Sequence, residues 1–162
     1  MSTHFTLAEE ASVVEALAPA ADAAGRSGAW VTLKNAYKAA IKVHIAQGNA
    51  ATVELIVQQA QDVSGTGAKA ITENAKIWAC LATDTSDALV AQPDGVTFTT
   101  DAALKNKIVV IQIDPATLDV ANGFDCIRVQ TGASNAANIT EATYILTPLR
   151  YAGSPPPSAI AN

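Results

Sequence analysis

Residues Ser64–Ala70 read SGTGAKA, and two glycines followed by a lysine are the raw material of a phosphate-binding loop. Such a loop has the form G-x-x-x-x-G-K-[ST]: the lysine follows the last glycine, a hydroxyl then holds magnesium, and a helix opens immediately afterwards. Here Ala68 separates Gly67 from Lys69, Ala70 stands where the hydroxyl belongs, and position 62 is Asp rather than Gly. The following residues, ITENAKIWACLAT, have strand rather than helix character. A dinucleotide fingerprint fails for the same reason. The stretch therefore predicts a tight connection or bulge between strands, with the glycines supplying positive φ.

Other chemistry-bearing types are equally dispersed. The histidines are His4, near the start, and His44, on the polar side of an alternating segment. No H-x-x-x-H, H-x-H or C-x-x-C spacing accompanies them, so no metal site is expected. A nucleophile would be Cys80, Cys126 or a serine beside His44, but no G-x-S-x-G or comparable context is present. Glu9 with Glu10 and Asp84 with Asp87 are carboxylates close in sequence, and Asp84, Asp87, Asp94 and Asp101 lack the spacing of an EF-hand loop. They read as solvated loop acids. Arg26, Arg128 and Arg150 are expected to serve ion pairs within or between subunits. The expected inventory is thus no catalytic, cofactor-binding or metal-ligating residue, and no enzyme.

The elements that position these residues are strands. KAAIKVHIAQ (38–47) puts Ala39, Ile41, Val43 and Ile45 on one face and Lys38, Lys42 and His44 on the other, the period-two pattern of a half-buried strand. The Gly48–Asn49 pair signals a hairpin. ATVELIVQQAQ (51–61) follows with Val53, Leu55 and Val57 on one side. Further strands are predicted at 29–35, 88–92, 95–99, 107–113, 124–131 and 141–147. Asp114 and Pro115 predict a single helical turn over 114–119. Residues 7–24 have helical composition but are interrupted by Pro19 and followed by Gly25 and Gly28. They are either a short helix or an extended arm.

Short strands with turn signals every eight to twelve residues, and no long helices between them, predict an all-β fold: an antiparallel, jelly-roll-like β-sandwich. The expected organisation is an N-terminal arm or short helix plus loop at 1–28, the sandwich at 29–150 and a proline-rich tail at 151–162. The 162 residues fit one such domain. A net charge of −5 with ten scattered Lys and Arg argues against nucleic acid as a direct partner. No apolar run is long enough for a membrane span, and the start lacks the basic and apolar regions of an export signal. Synthesis and retention in a cytoplasm are therefore expected, with Cys80 and Cys126 as reduced core thiols.

The phrases PAADAAGRSGAWVTLKNAYKA, VHIAQGNAATVELIVQQAQDVSGTGAKAI, NKIVVIQIDPATLDVANGFDCIRVQTG and YILTPLRYAG, in that order from Pro19 to Gly153, resemble a family of tailed-bacteriophage virion structural proteins. The resemblance implies a virion component with no catalytic motif. Its most direct form is a capsid decoration, or cement, protein on the outer capsid surface, made in the host cytoplasm. It would bind the major capsid protein across capsomers as a homotrimer, with its terminal arms reaching onto neighbours. A tail tube, neck or head–tail connector subunit is the alternative implied by the same resemblance. A glycan-binding surface module is a third reading. It would need exposed aromatic platforms, whereas Trp30 and Trp78 lie in strand-like apolar contexts and are expected in the core.

Overall fold

The computed structural model describes residues 6–161. Twelve strands are present among them, in two antiparallel sheets packed face to face. One helical turn, α1 (Leu7–Glu10), precedes β1 (Ser12–Ala21). Next come β2 (Arg26–Ser27), β3 (Val31–Thr32), β4 (Ala39–Gln47), β5 (Glu54–Ala60), β6 (Lys69–Ala70), β7 (Ala75–Cys80), β8 (Val90–Gly95) and β9 (Thr97–Thr99). The last three are β10 (Asn106–Ile113), β11 (Cys126–Thr131) and β12 (Asn138–Leu146). Sheet A runs β1-β12-β4-β10-β7-β8; sheet B runs β2-β11-β5-β6, with β3 paired to β11 and β9 to β5.

The core is aliphatic and follows the alternation of the sequence. In β4 every second residue, Ala39, Ile41, Val43 and Ile45, is buried, and Val109 and Ile111 of β10 flank them. From sheet B, Leu55, Val57, Ile127 and Val129 face the same interior. Tyr144 of β12 pins the two sheets together. Its hydroxyl donates to the Ala29 carbonyl at 2.7 Å and accepts from the Val129 amide at 3.0 Å. Burial raises the Tyr144 pKa well above the ordinary phenol range, so this hydroxyl remains a donor at physiological pH. At one end of the core, fully buried Lys107 donates to Gln47 Oε1 at 3.1 Å and lies 3.3 Å from Asp101 Oδ1. The amine is thus matched by acceptors rather than left isolated, as a buried cation requires.

Three expectations change. The sandwich begins at Ser12, not residue 29, because residues 12–21 are an edge strand paired along its length with β12. Helix-favouring composition yields here to that pairing after a single turn. Pro19 is tolerated because it falls within a register shift between Leu17 and Ala20, where no ladder bond is required. Gly48–Asn49 does not close a hairpin: it carries the chain from β4 in sheet A to β5 in sheet B. Buried Asn138 fixes that crossing, accepting from the Asn49 amide at 2.8 Å and donating to the Ala51 carbonyl at 2.7 Å. The tail is partly integrated, since Ala159 is buried and its carbonyl accepts from the Thr32 amide at 2.8 Å. The turn after Asp114 forms as expected, with its carboxylate accepting from the Ala116 amide at 3.0 Å.

Candidate functional site: the outer face of sheet A

The residues singled out for chemistry are spread over the molecule. The Ser64–Ala70 loop is a corner. Asp62 accepts from the Ser64 and Thr66 amides and from the Thr66 hydroxyl. Gly65 and Gly67 adopt φ of +85° and +67°. A Cβ on Gly65 would stand 2.5 Å from Trp30 Nε1, so the loop packs against an indole and leaves no room for a phosphate there. Lys69 lies over the Phe124 ring and pairs with Asp119.

The acids are mostly matched by lysines: Asp84 with Lys105, Asp94 with Lys76, Asp101 with Lys107. Among the described residues no three His, Cys, Asp or Glu side chains gather as metal ligands would. Glu10 accepts from the Thr6 amide at 3.3 Å. His44 is half-buried in sheet A opposite Glu141, and His4 lies outside the described residues. Cys80 and Cys126 are buried, unbridged, and belong to different sheets. Burial pushes the Cys126 thiol up to about 12, which keeps it protonated and unreactive.

One expectation about side chains needs correction, that of tryptophans in the core. Arg128 makes no ion pair within the subunit among the described residues. Its guanidinium stacks 4.6 Å from the Trp30 ring and its Nε donates to Gln58 Oε1 at 2.9 Å. Neither Trp30 nor Trp78 is in the core: both are half-buried. Trp78 lies on the outer face of sheet A, paired with Val110 and Ala91.

That outer face carries the most distinctive chemistry of the molecule. Its side chains form rows across the strands. One row is Val13, Ile145, Ala40, Gln112 and Lys76; the next is Glu15, Thr143, Lys42, Val110, Trp78 and Ala91. A third holds Glu141, His44, Ile108 and Cys80, and a fourth Ile139, Ala46 and Asn106. Aliphatic and indole surface thus spans from β1 to β8. Lys42 and Glu141, near the centre, pair with each other, and Lys76 at the margin pairs with Asp94 at 2.6 Å. The face is mixed: Glu15, Thr143, Lys42, Glu141, His44, Gln112, Lys76 and Asn106 share it with the aliphatic and indole side chains, which are more numerous than on the usual solvated face of an antiparallel sheet. Six strands about 4.8 Å apart, with a usable length near 25 Å, make a whole face of roughly 600 Å², polar and apolar side chains together, somewhat below the ~800 Å² that one partner contributes to a standard interface.

The outer face of sheet B is conventional. Ser27, Gln130, Ile56 and Thr97 form one row, and Arg128, Gln58 and Ala70 another. Its polar groups bond one another, as Gln130 Nε2 does to Ser27 Oγ at 2.7 Å.

No family model matches this sequence, and a search of curated proteins found no match. Among solved structures the chain is similar to the SPBc2 prophage-derived protein YomS. The TM-score is 0.47 and the identity 12%, over 85% of this chain and 93% of that one. At that similarity no role passes from one protein to the other.

Proposed function

We propose that this protein is a phage virion structural protein of the capsid decoration kind, with no enzymatic role. It binds across capsomers of the major capsid protein through the outer face of sheet A. The observation that carries the assembly part of this reading is the apolar face just described, on a sheet whose other side already fills the core. A face that carries Val13, Ile139, Ile145, Ile108, Val110 and Trp78, with Lys42 and Glu141 between them paired to each other, holds more apolar side chains than a solvated surface needs and favours burial against a partner. The phage and capsid part rests on the resemblance of the sequence between Pro19 and Gly153 to tailed-phage virion proteins. The low positive charge suits a surface turned away from packaged DNA.

The test is co-sedimentation of the purified protein with expanded, decoration-free phage shells, alongside sedimentation equilibrium of the protein alone. Saturable binding at a fixed ratio to capsomers, by a trimer, is the expected result. Rings or tubes of this chain in solution, with no affinity for shells, would move it to the tail tube or connector.

A further inference from the structure

A sheet edge presents unpaired backbone donors and acceptors unless the chain covers it. The four edges of this sandwich are treated differently. In sheet B, the terminal strands β2 and β6 are two residues long. In sheet A, β8 carries Pro93, which has no N–H to offer. The remaining edge, β1, is ten residues long and divided in two.

Its second half is closed by the chain itself. The Ala29 amide donates to the Ala16 carbonyl at 3.0 Å. The Arg26 guanidinium donates to the Ala18 carbonyl at 2.7 Å and to the Ala20 carbonyl at 3.1 Å. Buried Asp22 holds that guanidinium through Nε at 2.9 Å, and Pro19 adds no donor.

Its first half is open. Ser12–Glu15 pair with β12 on one side and, among the described residues, with no strand on the other. These four residues border a groove of about 640 Å³ whose far wall is Pro155–Pro157 and Ile160 of the tail. The wall is held in place through the buried Ala159. Proline offers no N–H, so these three residues give the edge carbonyls no backbone donor. Exposed Leu7, Val13 and Ile160 make the groove apolar. Glu15 lines it, Glu9 and Glu10 stand on the adjoining turn, and the sequence has no Lys or Arg before Arg26 or after Arg150.

We propose that Ser12–Glu15 is a strand-addition site. It takes one extended segment of a neighbouring protein whose side chains alternate between apolar and basic. The segment lies between β1 and the proline wall, bonded to the free edge by its backbone and to the acidic rim by its cations. Naming the major capsid protein as that neighbour rests on the function proposed above; the site itself does not.

The test uses ¹⁵N-labelled full-length protein titrated with a capped eight-residue peptide alternating valine and lysine, and with its valine–glutamate counterpart. The expected result is saturable shifts concentrated at Ser12–Glu15 and Ser158–Ile160, at least tenfold weaker affinity for the glutamate peptide, and a narrowed or inverted preference in Glu15→Lys. N-methylation of alternate peptide amides should abolish binding. Equal affinity for both peptides, or no shift at Ser12–Glu15 at millimolar peptide, would overturn the proposal. So would binding that emerges only after residues 1–5 are deleted, because the chain's own start would then be the occupant. Peptide binding in a protein with no affinity for shells would remove the capsid as partner and keep the site. Undiminished shell binding by Glu15→Lys, with peptide binding lost, would remove the segment's origin in the capsid protein.

Discussion

The outer faces of sheets A and B sit on strands that feed the same aliphatic core, yet they are finished differently. On sheet B several polar side chains bond a neighbour: Gln130 with Ser27, Gln58 with Arg128, Arg128 with the Trp30 ring. Such a face is complete in water. On sheet A, Ile108, Val110 and Trp78 stand side by side on β10 and β7, with Ile139 and Val13 toward the opposite edge. Folding alone does not require this, because the inward residues of these strands already make the core. The difference separates surface that the fold completes within the chain from apolar surface that the fold does not use.

The largest effect should come from putting a charge into the apolar face. Val110→Lys is expected to weaken shell binding by a hundredfold or more, the scale of a central interface residue, while the thermal midpoint moves by only a few degrees. The matched change on sheet B, Ile56→Lys, should alter binding less than threefold. Co-sedimentation of both variants measures this, and equal losses would erase the distinction between the faces.

Stability should respond next, and independently. Tyr144→Phe leaves the buried Val129 amide without its partner and costs about 1–3 kcal/mol in urea unfolding. Shell binding well below the midpoint should be unchanged. Gly65→Ala forces a side chain into positive φ against Trp30 and costs on the order of 1–2 kcal/mol. A changed Trp fluorescence with intact binding would assign that indole to stability rather than recognition.

The smallest effect concerns acid. The Thr66 hydroxyl and amide, bonded to the Asp62 carboxylate, hold its pKa below the ordinary 3.8. A carboxylate depressed in the folded state contributes stability above its unfolded pKa, and that contribution is lost as pH falls through the lower folded value. Asp62→Asn should therefore flatten the stability profile only below about pH 4, where the unfolded carboxylate protonates first. Unfolding curves of both proteins at pH 3 and pH 6 would show it. A difference at pH 3 as large as that at pH 6 would remove the role assigned to this turn.

The class of fold was readable because β-sandwich strands announce themselves by alternation. Ala39, Ile41, Val43 and Ile45 are inward as the period-two pattern requires. What alternation does not encode is which sheet a strand joins. Gly48–Asn49 reads as a hairpin from its residue types, and the long-range clamp of Asn138 makes it a crossing instead. The start of β1 is hidden for a related reason: its alanines, with Glu15 and the preceding Glu9 and Glu10, favour helix, and only the distant β12 supplies the pairing that makes a strand. The apolar face of sheet A consists in the sequence of Ile108, Val110, Trp78, Ile139 and Ile145. These are the outward members of strands whose inward members are also aliphatic, so composition alone does not separate them from the core. The strand-like apolar context of Trp78 points to the interior, and the cross-strand register is what turns it outward.

The central claim is that the apolar face of sheet A is the surface by which this protein joins an assembly. A near-atomic cryo-EM map of the phage particle, with this chain traced into it, tests that claim most directly. The account predicts density over the major capsid protein, with Val110, Trp78 and Ile108 covered by a partner and the Arg128–Trp30 face of sheet B turned to solvent. A traced chain whose sheet A face looks into solvent, with contacts made by sheet B alone, would contradict it.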